Sequence, residues 1–339
     1  MGVESTDLYD GSRVDKGYVT KIDLRREVER WVNADPARAG FDRGGVRAER
    51  VLNWGWFVAS SFRLTGEGRT MHLKLGRAPE QARMRRWYSV RQLLEQRYHA
   101  PRILSWVDLP GTGYAGMLFE HLPGEVWDTA RDPALAKQIA ELLGALHQDR
   151  ELAETLGDGP RGYRECWELR QKEQFEEDLK SIQAGRPPFI SEALLQWMEA
   201  ETKKVLAAGM VDRAMDGVSH SVCHWDLWAQ NVLVDPGGAW RVIDWDMVGV
   251  GDEAEDYATV VWPLVNRNPE RWPEALGFER DAVFDARMKF YLRAITLDYA
   301  IDVLADWVDC DVEEWGEAVR EKKREHHEEF LDIYRAVWG

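Results

Sequence analysis

Within one stretch of eight residues the chain carries His224, Asp226 and Asn231, and thirteen residues after the last of these comes Asp244. The segment between Asn231 and Asp244 reads NVLVDPGGAWRVID. Two short β-branched-rich runs, residues 231–234 and 240–243, flank Asp235-Pro236-Gly237-Gly238, which is strong turn chemistry. The pattern predicts a β-hairpin. An antiparallel hairpin brings the start of one strand beside the end of the other, so Asn231 and Asp244 are expected side by side, with Asp226 on the loop above. Three oxygen-bearing side chains converging at a hairpin mouth suit a hard cation such as Mg²⁺. With two of them on the metal, the third carboxylate is left to act on a hydroxyl.

The rest of the chain must position this group. Residues 1–20 read as a polar lead-in and 23–32 as a short amphipathic helix through Leu24, Val28, Trp31 and Val32. Three strands follow at 50–53, 56–64 and 70–75, the last two joined by Thr65-Gly66-Glu67-Gly68. A helix is expected over 80–96, with Met84, Trp87, Val90, Leu93 and Leu94 on one stripe. Two more strands, 103–107 and 117–121, end at the chain-breaking Leu122-Pro123-Gly124. From Pro133 onward the patterns are helical: 134–147, a charged stretch helical around 166–182, 190–206, 257–265, 282–309 and 312–337. His147, near the end of its helix, is expected to pack or cap.

Composition sets the class. The chain has 339 residues, 45% hydrophobic and 31% charged, with no low-complexity tract and no apolar run long enough for a bilayer. It opens MGVESTDLYDGS, with no basic segment leading into an apolar one, so no signal peptide is expected. Cys166, Cys223 and Cys310 are three, odd in number and scattered, which fits reduced thiols in a cytoplasm. A net charge of −16 argues against nucleic acid or an anionic membrane as partner and permits a cationic one. There is no G-x-x-x-x-G-K-[ST], which removes a P-loop.

The ordered string His224-x-Asp226-x-x-x-x-Asn231, then Ile243-Asp244, Gly251-Asp252 and Asp256, resembles the catalytic loop and metal-binding Asp of the aminoglycoside phosphotransferase and choline kinase group. These are relatives of the protein kinases, whose corresponding motif is H-R-D-x-x-x-x-N. The resemblance implies an α+β, bilobal, protein-kinase-like fold: a small antiparallel-sheet N-lobe over 1–120, a hinge at 121–124 and a mainly helical C-lobe over 125–339. It further implies transfer of phosphate from ATP, or GTP, with Mg²⁺ held by Asn231 and Asp244. Asp226 is then expected to accept or orient the proton of a substrate hydroxyl, and His224 to hold the loop. Asp256 is expected to anchor that loop, and Asp246 either to do likewise or to face substrate.

In the N-lobe the resemblance sets Lys74 against the α- and β-phosphates; the alternative is an edge-strand lysine facing water. The phosphate loop departs from the kinase pattern, since NWGWFVASSFRL holds only Gly55, and leaves Ser60 and Ser61 to offer hydroxyls and amides. The group's helix Glu, the usual partner of that Lys, is expected near Arg86, yet Glu80 is the only acidic residue of the helix before Glu95. The partner of Lys74 stays open. Phe119–Gly124 resembles the hinge, with the Glu120 carbonyl and Leu122 amide placed for adenine, or it is a surface turn.

One feature is independent of the resemblance. No Lys or Arg lies between Arg293 and Arg320, while Asp298, Asp302, Asp306, Asp309, Asp311, Glu313, Glu314 and Glu317 all do. Asp298, Asp302 and Asp306 share one helix face, where like charges repel. The face either binds cations or is an ordinary solvated acidic surface. With Glu253 and Glu255 it favours a polycationic aminoglycoside or aminocyclitol as substrate. Trp262, Tyr299, Trp307 and Trp315 offer instead a cation–π box for choline, ethanolamine or another amino alcohol. A catalytically silent nucleotide-binding module on the same fold is the reading from a different class. A monomer or a dimer is expected.

Overall fold

The computed structural model describes residues 24–51, 60–159, 161–168, 172–210, 218–219, 221–310 and 316–339. The lead-in over 1–20, the first part of the phosphate-loop candidate (53–59, with Gly55), and Asp311, Glu313, Glu314 and Trp315 lie outside the described residues. In chain order the elements are α1 (Leu24–Ala34), β1 (Arg47–Val51), β2 (Ser60–Gly66), β3 (Arg69–Gly76), α2 (Ala78–Arg97), β4 (Ile103–Asp108), β5 (Ala115–Glu120) and β6 (Glu125–Val126). Then come α3 (Leu135–Leu146), α4 (Arg150–Leu156), β7 (Arg161–Gly162), α5 (Tyr163–Trp167), α6 (Glu173–Ala184), α7 (Glu192–Met210), β8 (Val218–Ser219) and β9 (Ser221–Cys223). The chain closes with β10 (Val232–Val234), β11 (Trp240–Val242), β12 (Gly249–Gly251), α8 (Glu253–Val265), α9 (Trp272–Leu276), α10 (Ala282–Asp309) and α11 (Glu317–Trp338). They form two compact units, one of Met1–Glu125 with Val234–Asp246, the other of Val126–Leu233 with Met247–Gly339.

The first unit is built on an antiparallel sheet in the order β1-β2-β3-β5-β4. Its β2–β3 turn is a two-residue loop, with Glu67 at φ 53° and Gly68 at φ 74°. Two left-handed residues in succession match the right-handed twist of the flanking strands, which is why a Gly-containing turn sits there. Along β3 the side chains alternate. Leu73 and Leu75 join Leu24, Val28 and Val32 of α1, with Phe62, Leu64 and Leu118, in one fully buried cluster. His72 and Lys74 therefore take the opposite face, where Trp87 of α2 packs on Phe119 with ring centroids 5.1 Å apart. Since β3 is the middle strand, Lys74 is not an edge lysine.

The segment Val234–Asp246 is bound into this unit by its own contacts. Asp235 closes the turn: its N–H donates to the Ala239 carbonyl (2.8 Å), and its Oδ1 accepts from the N–H groups of Gly237 (2.8 Å) and Ala239 (2.9 Å). Val242 N–H then donates to the carbonyl of His99 (3.1 Å), whose ring lies 4.2 Å from that of Trp240. Gly124, the last residue of the hinge candidate, has φ 149°, and a Cβ there would stand 2.7 Å from the Val234 carbonyl oxygen. Only glycine fits that approach.

The second unit is mainly helical. α3 buries Leu135, Ile139, Leu143 and Leu146 at helical spacing. Of the stretch expected to be helical around 166–182, the described residues are helical over α5 and α6. α8 starts earlier than its apolar pattern predicts, because Asp252 caps it by accepting from Ala254 N–H (3.1 Å). α10, capped by Asp281 through Phe284 N–H (2.8 Å), packs against α6, α7, α8 and α11. β9 and β12 pair antiparallel, Cys223 opposite Gly249. No helix among the described residues is long and apolar enough to cross a membrane.

Candidate functional site

In the first unit, Lys74 is buried and donates from Nζ to Asp244 Oδ1 and to Asp246 Oδ2, both at 2.6 Å. Burial alone would lower its affinity for the proton, but the two carboxylates outweigh it and hold the ammonium above its ordinary value. Burial pushes Asp246 up to about 6 against the pull of Lys74. Asp244 adopts the left-handed region at φ 61°, which Asp tolerates better than most residues. His72, two residues from Lys74 on the same face, is driven down to about 4, first by burial and then by the charge of Lys74. Ser61 is buried opposite Lys74 on β2, and Ser60 Oγ lies 3.5 Å from Arg50 Nη2. Glu120 is exposed at the end of β5, its N–H donating to the Arg102 carbonyl (3.2 Å), and Leu122 is half-buried.

In the second unit the loop after β9 is fastened from beneath. Asp256, fully buried in the first turn of α8, accepts from the backbone N–H of His224 on Oδ2 (2.9 Å) and of Trp225 on Oδ1 (2.7 Å). The His147 Nε2 lies 3.1 Å from the same Oδ2. His224 Nδ1 accepts from the Asp226 N–H (3.2 Å), which puts the ring proton on Nε2 and makes this histidine a brace. Asn231, at the end of a short 3₁₀ turn, donates its amide to the Asp226 carbonyl (2.7 Å) and to Asp226 Oδ2 (2.9 Å). That orientation fixes which end of the amide is the nitrogen and turns the oxygen elsewhere, leaving Oδ1 for a hard cation. Trp225 stands at φ 66°, a costly conformation for an aromatic residue. A Cβ at Gly251 would fall 2.2 Å from its indole, so the glycine of the Gly-Asp pair makes room for that ring.

The ligand atoms of His147, Cys223 and Asp256 lie within 4.8 Å of one another. Both Asp256 oxygens are occupied by amides, and burial raises the Cys223 thiol well above its ordinary value. The trio is a structural clasp.

The acidic face of α10 is not a solvated surface. Asp302 and Asp306 are each 8% exposed. Asp306 is paired with Lys323 of α11, itself buried. No described residue gives Asp302 a hydrogen bond, and burial, then Asp306, Asp178 and Asp298, push its carboxyl well above the usual range, with Lys323 opposing. Tyr299 ties this face to the loop: burial and the charges of Asp226, Asp298 and Asp302 raise its hydroxyl. Its ring centroid stands 5.9 Å from that of Trp228, 4.7 Å from Trp262 and 5.8 Å from Phe330.

The other substrate candidates have different surroundings. Trp307 is covered by the Arg320 guanidinium at 3.7 Å and by Phe189 at 5.2 Å. Glu253 pairs with Arg280 (2.8 Å), and Glu255 is buried in α8. Sequence reasoning missed His72, Trp228 and Phe330. His72 was readable, since residues two apart on a strand share a face. Trp228 lies within the motif itself, two residues after Asp226, but Phe330 is some hundred residues further on, and nothing local joins the two.

A family model described as "Phosphotransferase enzyme family" matches residues 49–290. A putative aminoglycoside phosphotransferase from Ralstonia eutropha JMP134 is similar in structure at 16% identity and a TM-score of 0.54, covering 93% of this chain and 99% of its own. A choline/ethanolamine kinase family protein from Mesorhizobium loti is similar at 18% identity and a TM-score of 0.55, covering 92% and 98%. The GDP complex of aminoglycoside 2'-phosphotransferase-IIIa is similar at 13% identity and a TM-score of 0.57, covering 91% and 97%. No curated protein matches. These likenesses carry the protein-kinase-like fold.

Proposed function

From the premise that the chain belongs to the phosphotransferase enzyme family, we propose that it transfers the γ-phosphoryl group of a nucleoside triphosphate to a hydroxyl of a small cationic molecule, foremost an aminoglycoside or aminocyclitol. The observation that carries the substrate class is Asp302. A buried acid among Asp298, Asp306 and Asp178, with Lys323 the opposing charge, either keeps its proton or gives it up to a cation that takes its place, and in this reading the substrate's ammonium groups are that cation. Tyr299, on the same helix as Asp302, has its ring 5.9 Å from that of Trp228 in the loop that carries Asp226, and this contact supports joining the cation subsite to the reacting end.

In this reading Asp226 accepts or orients the proton of the attacking hydroxyl. Asn231 holds Asp226 through its amide nitrogen and presents its oxygen to Mg²⁺, with Asp244 as the second protein ligand. The metal, when bound, offsets charge on the phosphates. His224 braces the loop, and Asp256 ties it to α8. Lys74 pairs with the α- and β-phosphates, near Ser60 and Ser61, and the Glu120 carbonyl and Leu122 amide take the base of ATP or GTP. Because phosphoryl transfer needs mostly positioning and charge neutralisation, these fixed groups suffice without a covalent intermediate.

A second reading rests on Trp228, Trp262, Tyr299 and Phe330, whose rings meet around one tyrosine and suit a quaternary or primary ammonium of an amino alcohol. Turnover assays with ATP and GTP against aminoglycosides, choline and ethanolamine test both. Phosphorylation of an aminoglycoside supports the first reading, and phosphorylation of choline or ethanolamine alone transfers the assignment to the second. Nucleotide binding without turnover on any substrate leaves a silent binding module.

A further inference from the structure

We infer that Asp246 is the positioning residue for Lys74, standing where an acidic residue of α2 would otherwise hold that ammonium. What Lys74 binds rests on the phosphotransferase reading; that Asp246 holds it does not.

The helix cannot supply the partner. α2 has two acidic residues, Glu80 and Glu95. Glu80 is spent at the helix start, where its Oε2 accepts the Arg77 N–H (3.0 Å) in a capping box. Between them stand Arg83, Arg85, Arg86 and Arg91. Arg83 is among the charges acting on the Asp246 carboxylate, so the helix brings positive charge to this pair, the reverse of a glutamate.

Asp246 fills the gap from a braced turn. It lies in the 3₁₀ segment Trp245–Met247, and the Trp245 indole N–H donates to the Val242 carbonyl (2.9 Å) while its ring meets that of Tyr98 at 6.4 Å. The carboxylate reaches Lys74 Nζ at 2.6 Å, with 15% of its side chain exposed. A lysine has three N–H donors. Two go to Asp244 and Asp246 here, and release of Asp244 would leave two for the α- and β-phosphates. With Asp244 alone, one carboxylate would have to neutralise Lys74 and hold a metal at once, and each task would weaken the other. Asp246 divides them: it keeps Lys74 in place when Asp244 turns to the metal.

The test uses the full chain, its Asp246→Asn and Lys74→Met variants and the double variant, with ATP affinity measured in EDTA and in Mg²⁺. The expected result is ATP binding weakened about 10- to 30-fold by Asp246→Asn, with or without metal, while the Mg²⁺ half-saturation stays within about twofold. Lys74→Met should do the same, and the double variant should be no worse than either single change. Asp246 Oδ1 is buried without a hydrogen bond among the described residues, so a metal-ligand role is the competing outcome. A raised Mg²⁺ half-saturation with unchanged metal-free ATP affinity would overturn the inference. Urea unfolding of the same four proteins reads the pair without nucleotide. Non-additive midpoint shifts support it and additive shifts overturn it. Absence of ATP binding by the unaltered chain would instead sink the phosphotransferase reading.

Discussion

Replacing Asp256 by Asn probes the clasp under the loop without changing its shape. Each carboxylate oxygen of the fully buried Asp256 takes one backbone amide, Oδ2 from His224 at 2.9 Å and Oδ1 from Trp225 at 2.7 Å. An asparagine has one acceptor oxygen, so it satisfies one amide and turns its own N–H groups toward the other. A buried donor left without an acceptor costs about 1–3 kcal/mol, and the amide that keeps its bond loses the charged acceptor worth about as much again. The sum is about 4 kcal/mol, a large part of a typical 5–15 kcal/mol stability and on the order of 10 °C in the unfolding midpoint. The displaced loop carries Asp226, and a misplacement near 1 Å lowers turnover about 100-fold. Urea unfolding, amide hydrogen exchange at His224 and Trp225, and steady-state kinetics measure the three effects. Unchanged exchange at those two amides, together with unchanged stability, would refute the argument.

Three further outcomes follow from the same geometry. Asp226→Ala should abolish turnover while leaving nucleotide affinity nearly intact, and retained turnover removes Asp226 from its role. If several carboxylates of α10 meet the substrate, its KM should rise steeply between about 0.05 and 0.5 M salt, because the long-range attraction that draws a polycation to an acidic face is screened, whereas an aromatic cage acts at contact; a shallow rise favours the cage of Trp228, Trp262 and Tyr299. His72 holds its proton only below about 4 in the folded chain, against 6.5 when free. The unfolded state therefore takes up the proton first as pH falls. The stability associated with the neutral ring is fully present above about 6.5 and lost progressively toward 4. His72→Gln should flatten that part of the pH profile of thermal unfolding, and an unchanged profile counts against a half-buried ring held neutral.

Local chemistry made the frame readable. The Asp-Pro-Gly-Gly turn and the Gly-containing β2–β3 turn each carry their signal within a few residues. Lys74 could be put on a strand but not on a central one, because strand order depends on β5 and on residues some forty positions further along. Its partners, Asp244 and Asp246, lie 170 and 172 residues away. The repulsion along Asp298, Asp302 and Asp306 was visible as spacing; the burial of Asp302 and Asp306 was not, because α10 packs there against α6 and α11. The Glu expected from α2 was missing in the sequence, and only the Arg77 amide explains what Glu80 does instead.

The return of Val234–Asp246 to the first unit has a consequence for synthesis. The sheet strands emerge early from the ribosome, yet the segment that packs on Tyr98 and His99 and satisfies Lys74 is made more than a hundred residues later. Until residue 246 leaves the exit tunnel, the N-terminal part waits with the Lys74 ammonium unpaired with Asp244 and Asp246 and the rings of Tyr98 and His99 without their partners Trp245 and Trp240, a nascent-chain interval in which chaperones would find a hydrophobic handle. A fragment ending at Glu125 would stay in that unfinished condition, whatever its own strands can pair.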